Sequence, residues 1–145
     1  SGANKLPCGE FIGSFQPLCK VNMKYTISKA LQDEVFIVRD SSLLIDIARL
    51  IDAINQKEII FDIREMRSDF LATFIKSDIY DKKILSEMTN TRRNEPIIVT
   101  NFGGKNRIID GNHRLKKCIN EGCETCFVIV VSPVILEQFS EPLGY

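Results

Sequence analysis

The sequence lacks an excess of charge of either sign. Lysine and arginine together number 19, and so do aspartate and glutamate, so the formal net charge at pH 7 is zero. A chain without a net field is not drawn non-specifically onto nucleic acid or anionic lipid. Any binding of a polyanion has to come from a local group of residues, and a nuclease with a long nucleic-acid footprint is disfavoured.

The sequence also lacks an apolar run of the roughly 20 residues that a membrane helix needs. Its apolar runs have the length of a buried strand, as at residues 127–131, so we expect no membrane span. The five cysteines are an odd number, and the 44% hydrophobic content of 145 residues is enough for one core without disulfides. Together these features favour a reducing compartment, and we expect the cytoplasm.

Hydrophobic patterning predicts a mixed α/β (α+β) fold in which a small mixed sheet is flanked by helices. Short apolar runs rich in β-branched residues predict five strands, at residues 35–38, 59–63, 96–100, 106–109 and 126–131. Gly103 and Gly104, between the third and fourth runs, are typical of a β-hairpin turn. The order strand, helix, strand in the first half of the chain suggests a crossover unit.

Apolar residues at helical spacing predict the helices. One helix is expected over residues 42–56, capped by Ser41 or Ser42. Its apolar face consists of Leu43, Ile47, Leu50, Ile51 and Ile54. Further helices are expected near residues 70–75, after a cap at Asp81, after Gly111 with a stop at Gly122, and at residues 135–139.

The segment most informative about function is residues 108–114, Ile-Ile-Asp-Gly-Asn-His-Arg, where a strand runs through a glycine into a helix. The first amides of a helix have no partner within it and, with the helix dipole, favour an anion. Gly111 lets the backbone approach that anion closely. Arg114 and His113 could add charged contacts to a phosphate, and Asp110 is available to hold Mg²⁺ or to accept a proton.

On spacing alone, a purely structural interpretation of this segment has about the same weight as the phosphate-binding one. In that interpretation Asp110 caps the helix and Gly111 serves the turn. His113 and Arg114 are then solvated surface residues.

A longer pattern surrounds the motif: Pro-Ile-Ile-Val at residues 96–99, the glycine turn, residues 108–115, Gly122, and Val-Ile-Val-Val at residues 128–131. This pattern resembles the core of the ParB and sulfiredoxin superfamily. The match covers residues 58–131 and is specific only from Pro96 onward. We therefore expect a core of residues 58–145, with residues 1–57 as an N-terminal extension packed on it. Members hold nucleotide phosphates at this turn, CTP in chromosome-partitioning ParB proteins and ATP in sulfiredoxins and free serine kinases. The resemblance implies that Gly111, Asn112, His113 and Arg114 contact the phosphates of ATP or CTP, with Mg²⁺.

The departures from the family pattern narrow the function. Sulfiredoxins carry a nucleophilic cysteine where this chain has Asn112, so reduction of sulfinic acid through that thiol is not expected. ParB proteins read G-E-R-R-x-R-A, and this chain replaces one of those arginines with His113 and another with a lysine. The serine kinases keep D-G-x-x-R and place an acidic base after the first core strand, for which Glu65 is the nearest candidate. A solvated charge remains the commoner role for such a residue.

Three functions follow from the motif and the resemblance. The first is Mg²⁺-dependent phosphoryl transfer or nucleotide hydrolysis, with Asp110, His113, Arg114 and Glu65 as candidate catalytic residues. The second is a nuclease or toxin-like module that cuts nucleic acid, and the third is a nucleotide-sensing domain without turnover. Arg92 and Arg93 precede Pro96 and are candidates for further phosphate contacts, because a loop at that place lies near the turn in the family fold.

The three C-terminal cysteines have a spacing that metal sites also use. Cys118, Cys123 and Cys126 could join His113 or an N-terminal cysteine in a zinc or iron–sulfur site, although small core residues are the better account. A redox role for Cys123 and Cys126 is disfavoured, because their C-x-x-C precedes a strand rather than a helix.

Overall fold

The computed structural model describes residues 15–17, 27, 35–38, 42–75 and 80–143, with residues 15–17 described by their backbone alone. Strands and helices are interspersed along this part of the chain. In order they are β1 (Phe15–Pro17), β2 (Val35–Val38), β3 (Leu43–Asp46), α1 (Ile47–Asn55), β4 (Asp62–Arg67), α2 (Ser68–Ala72), α3 (Lys82–Glu87), α4 (Asn90–Arg93), β5 (Ile97–Phe102), β6 (Lys105–Asp110), α5 (Asn112–Asn120), β7 (Thr125–Val130), α6 (Pro133–Glu137) and β8 (Ser140–Pro142).

The strands form two sheets. The larger has the order β1-β4-β7-β5-β6, and the smaller has the order β2-β3-β8. In the larger sheet β5 and β7 are parallel, and the other neighbours are antiparallel. The predicted mixed α+β fold, with a small mixed sheet flanked by helices, is therefore confirmed. No helix among the described residues is long and apolar enough to cross a membrane.

The larger sheet separates two clusters of buried side chains. On one face it packs against α1, α6 and the smaller sheet, with Ile45, Leu50, Ile98 and Leu136 among the buried residues. On the other face it packs against α2 and α5. Helices α3 and α4 contact α5 on this second side. The start of α5, which carries the predicted motif, therefore lies on this second side of the larger sheet.

The hairpin predicted before the motif is confirmed. Strands β5 and β6 pair with Phe102 opposite Lys105, and Gly103 and Gly104 form the two-residue turn with φ of +63° and +75°. Both angles are positive, as the type I′ turn that favours glycine requires. A register shift beside Ile98 then places Asp110 opposite that residue, at the end of β6.

The helix predicted over residues 42–56 is shorter in the structure. Residues Leu43–Asp46 form strand β3, and α1 begins only at Ile47. The predicted cap is also wrong for Ser42, which lies in a turn with φ of +51°, whereas Asp46 accepts a hydrogen bond from the Arg49 amide at 3.0 Å. Ser41 lies outside the described residues. Because β3 pairs on both sides, with β2 and β8, distant partners override the helical spacing.

The strand predicted at residues 59–63 lies three residues later, at Asp62–Arg67. The charged residues of this strand do not show the apolar pattern by which strands are predicted. Asp62 and Arg64 are nevertheless buried, as an ion pair with 2.6 Å between Oδ2 of Asp62 and Nε of Arg64. The predicted crossover unit is also wrong, since β2 and β4 belong to different sheets.

The remaining predictions differ from the structure mainly at element ends. Asp81 caps α3 as predicted, whereas α2 spans Ser68–Ala72 rather than residues 70–75. Strand β7 begins one residue before the prediction, and α6 begins at Pro133 rather than at Ile135. Strand β8 was not predicted, because its short polar sequence has no strand pattern and depends on pairing with β3.

Candidate functional site

The predicted strand-to-helix turn is present and depends on Gly111. Strand β6 ends at Asp110, Gly111 has φ of +111°, and α5 begins at Asn112. A Cβ at Gly111 would lie 3.0 Å from Nη2 of Arg114 and 3.0 Å from Cγ1 of Ile97. A side chain at this position would therefore be strained and crowded, and Gly111 leaves the first amides of α5 without a side-chain cap.

Arg114 lies under the turn rather than at the surface. Its side chain is only 2% exposed, and Nη2 donates to Oδ2 of Asp110 at 3.0 Å and to the carbonyl of Pro96 at 2.8 Å. Burial lowers the pKa of the guanidinium, and the nearby Asp110 carboxylate opposes that effect. Its Nε is also buried and has no hydrogen-bond partner among the described residues. Arg114 thus ties the start of α5 to the start of β5.

Helix α4 brings one of the two predicted arginines towards the turn. The positive charge of Arg92 lowers the pKa of Arg114, and the charge of Glu95 raises it, so both lie near that guanidinium. Arg92 itself forms an ion pair with Glu95. Arg93 points to the other end of α5, where its Nη1 donates to Oε1 of Glu121 at 2.7 Å. Of the pair, Arg92 alone lies towards the turn.

His113 points away from Arg114. Its Nε2 accepts a hydrogen bond from the Asp81 amide at 3.1 Å, and the ring of Tyr80 meets the imidazole edge-on, with 5.5 Å between centroids. Nε2 must therefore be unprotonated in this arrangement. The structure does not bring His113 and Arg114 to one point, because the first contacts the start of α3 and the second lies in the core.

Asp110, predicted as a metal ligand or base, is only 6% exposed and is paired with Arg114. Its negative charge is already compensated, so a metal ion at this carboxylate would have to compete with the guanidinium. The described residues contain no group of three or more metal-ligating side chains placed to hold an ion.

Glu65 lies on the opposite face of the larger sheet from α5. It alternates along β4 with Arg64 and Met66, and Met66 packs in the cluster covered by α2 and α5. Glu65 instead accepts a hydrogen bond from Oγ1 of Thr125 at 2.7 Å. The carboxylate chosen as the catalytic base is therefore not brought to the turn, because the strand begins later than predicted and its alternation turns the side chain away.

Sequence reasoning missed Arg64, a second buried arginine on the α5 face. Its side chain is 0% exposed. Pairing places Arg64 opposite Val128, and Val128 opposite Ile97, so the three form a row across the sheet towards the Ile97 side chain beneath Gly111. The sequence offered little signal for this, because residues 62–69, Asp-Ile-Arg-Glu-Met-Arg-Ser-Asp, are mostly charged and have no apolar pattern that marks Arg64 as buried.

Comparison of the chain with models of known protein families, with curated proteins and with solved structures finds no match. The resemblance to the ParB and sulfiredoxin superfamily stays a prediction from the motif.

Proposed function

We propose that the start of α5 binds the phosphate groups of a nucleotide. The observation that carries this proposal is a nine-residue helix whose first amides have no side-chain cap, next to a buried guanidinium whose Nε lacks a partner. Uncapped amides at a helix start favour an anion, and the helix dipole adds to the effect. The family resemblance names ATP or CTP with Mg²⁺ as the ligand.

The residues at the turn would have different roles in binding the nucleotide. The amides of Asn112 and His113 would contact phosphate oxygens, because Gly111 leaves the backbone open to close approach. Arg114 would hold the turn in shape, since Asp110 already neutralises it. Arg92, partly exposed and close enough to act on Arg114, would contact the phosphates in place of its present partner Glu95.

The reaction we propose is transfer or hydrolysis of the terminal phosphoryl group, with Mg²⁺ carried by the nucleotide phosphates. His113 lies in the first turn of α5, and since the Asp81 amide occupies its Nε2, it would act on that group through Nδ1. A cytoplasmic location suits this function, and the three described C-terminal cysteines are unpaired thiols.

A second candidate function, nucleotide sensing without turnover, is favoured by the positions of two carboxylates. Asp110 is occupied by Arg114, and Glu65 faces the other side of the sheet. Both carboxylates that the sequence suggested for catalysis therefore have other partners. Measuring phosphate release after binding is established would separate the two functions.

The experiment is a thermal-shift panel of ATP, CTP and GTP, each with and without Mg²⁺. A ligand at 100 times its Kd stabilises a protein by about 2.7 kcal/mol, which raises Tm by several degrees. Arg92→Ala should weaken this stabilisation at least tenfold in apparent Kd. Arg93→Ala is the matched control, since the neighbouring arginine pairs with Glu121 at the far end of α5 and should leave binding unchanged.

Two outcomes contradict the proposal. Either no nucleotide or inorganic phosphate shifts Tm, or Arg92→Ala and Arg93→Ala reduce binding equally. For turnover, Glu65→Gln should retain full activity, because Glu65 faces away from α5; loss of activity in that variant would show that the reaction takes place elsewhere.

A further inference from the structure

Helix α3 lies against α5 through polar and ring contacts, and none of its own residues is buried. The Asp81 amide, at the start of α3, donates to Nε2 of His113 at 3.1 Å. Nζ of Lys117 donates to the Leu85 carbonyl at 2.8 Å. The ring of Tyr80 meets the imidazole of His113 edge-on, with 5.5 Å between centroids. His113 therefore takes part in two of these three contacts.

The contact between Asp81 and His113 requires a neutral imidazole. A neutral ring accepts a hydrogen bond at one nitrogen, whereas a protonated ring donates at both nitrogens and accepts at neither. Histidine is the side chain whose charge ordinarily changes between about pH 5 and pH 8. The hydrogen bond from the Asp81 amide is therefore present at the upper end of this range and is lost when the ring takes up a proton as the pH falls.

The carboxylate of Asp81 is the nearest group that could accept from a protonated ring, but it already caps α3. Its Oδ1 accepts from the amide of Lys83 at 2.9 Å and from the amide of Ile84 at 3.3 Å. A move of this carboxylate towards the imidazole would weaken the N-cap of α3. Protonation of His113 thus disturbs the first turn of α3 either through the lost amide acceptor or through the cap.

A charged His113 would also meet other cations in the arrangement that holds α3. Lys116 and Lys117 lie three and four residues further along α5 and therefore on the same helix face. Nζ of Lys116 lies 5.4 Å from the centroid of the Tyr80 ring, the ring that His113 also contacts. Protonation thus places a second positive charge against one tyrosine and a third on one helix face, where like charges repel.

The helices packed against α5 do not supply a compensating excess of negative charge. With its cap, α3 has two acidic and two basic side chains, which are Asp81, Glu87, Lys82 and Lys83. The charged side chains of α2 and α4 are in ion pairs, Asp69 with Arg67, Arg92 with Glu95 and Arg93 with Glu121. The charges around His113 therefore leave the Asp81 carboxylate as the group that would have to accept a protonated ring.

We propose that His113 is a pH-sensitive switch in which protonation of the imidazole releases α3 from the start of α5. While the ring is neutral, the Asp81 amide and the Tyr80 ring hold α3 against α5. When the ring is protonated, α3 opens and the sheet stays folded. The start of α5 carries the uncapped amides of the candidate site, so acid changes the surroundings of that site. The switch does not depend on nucleotide binding, and its test uses the chain without ligand.

The test is a pH titration of the full chain from about pH 8 to about pH 5, followed by NMR. The sequence has a single histidine, so one imidazole signal reports the protonation of His113. Amide hydrogen exchange over residues 81–87, corrected for the intrinsic effect of pH, should become about fivefold faster or more as that signal titrates. This factor corresponds to the loss of one hydrogen bond. Exchange in β5 and β7, corrected in the same way, should stay unchanged.

Two variants identify the group that titrates. His113→Gln keeps a side-chain oxygen that can accept from the Asp81 amide but takes up no proton, so exchange over residues 81–87 should no longer depend on pH. Asp81→Asn keeps both the amide and a side chain that caps helices, and should retain the wild-type pH dependence. Exchange over residues 81–87 that does not change with pH in the wild type would overturn the proposal without any variant. Wild-type pH dependence in His113→Gln, or its loss in Asp81→Asn, would overturn it as well.

Discussion

At the scale of single residues, the candidate site is organised by charges that the core holds rather than by charges at the surface. Asp110 and Arg114 are 6% and 2% exposed, and Asp62 and Arg64 are 3% and 0% exposed. A buried pair adds little net stability, but removal of one partner leaves an uncompensated charge. The pairs therefore fix where each guanidinium lies, and the turn depends on both partners.

Asp110→Asn should destabilise the protein strongly. The change leaves Arg114 buried without its carboxylate, and losses of one partner from a buried pair cost about 3 kcal/mol or more. Urea unfolding at pH 7 measures the loss as a lower midpoint. Asp69→Asn is the matched control, because the Arg67–Asp69 pair is 60% and 67% exposed and its loss should leave the midpoint unchanged. Equal midpoints for the two variants would contradict the assigned role of Asp110.

Gly111→Ala should cost more stability than Gly122→Ala. Both glycines have positive φ, which costs an alanine about 1 kcal/mol, but a Cβ at Gly122 meets nothing within 4 Å. At Gly111 it meets Arg114 and Ile97 at 3.0 Å, so we expect about 2 kcal/mol or more in total. Chemical unfolding of the two variants gives the difference. If both lose the same amount, close packing at the turn contributes nothing.

The sequence could predict which residues lie at the turn, but it could not predict where their side chains point. The order strand, glycine, helix follows from local pattern, and it located Asp110, Gly111 and Arg114 correctly along the chain. The Arg114 side chain points inward, where it donates to the Pro96 carbonyl. The His113 side chain points outward, where it accepts from the Asp81 amide. These partners are 18 and 32 residues away, and no local rule specifies them.

At the scale of elements, α3 depends on polar contacts with α5. None of its residues is buried, and Ile84 is 46% exposed. The Asp81 amide donates to His113, and Nζ of Lys117 donates to the Leu85 carbonyl at 2.8 Å. A helix held in this way should open locally more often than α5, which buries Leu115 and Cys118 in the core.

His113→Ala should release α3 without unfolding the sheet. Removing the imidazole leaves the Asp81 amide without its acceptor, so amide hydrogen exchange over residues 81–87 should become several-fold faster while that of β5 and β7 stays unchanged. His113→Gln is the control, because its side-chain oxygen can accept the same hydrogen bond. Unchanged exchange over residues 81–87 in the alanine variant would show that this contact does not hold α3.

Element boundaries show which physical effects the sequence pattern captured. The β5–β6 hairpin was predicted because its turn needs two residues with positive φ, a local requirement that Gly103 and Gly104 reveal. The start of α1 was not predicted correctly, because residues 43–46 form a strand only by pairing with β2 and β8. Strand β8 comes almost 100 residues later in the chain. Local rules thus sufficed where the constraint was local.

At the scale of the whole molecule, residues on both sides of the predicted boundary at residue 57 share one core. The cluster between the two sheets takes half of its described buried members from residues 27–54 and half from residues 63–136. Strand β8, from the end of the chain, pairs with β3 in the smaller sheet, and β1 pairs with β4 in the larger one. The described residues before residue 57 are therefore packed on the rest by shared sheets as well as by shared core residues.

A fragment of residues 58–145 should not fold alone, although it contains the whole candidate site. Without α1 and β3, one face of the larger sheet would expose Ile63, Ile98 and Ile129, each of which loses about 1.5–3 kcal/mol of burial. A domain's net stability is only about 5–15 kcal/mol, so the fragment lacks the margin to stay folded. Circular dichroism with urea unfolding should show no cooperative transition for the fragment, whereas the full chain should show one. Cooperative unfolding of the fragment near the full-chain midpoint would instead mean that residues 58–145 are an independent core, and that the shared cluster adds contact without being required for the fold.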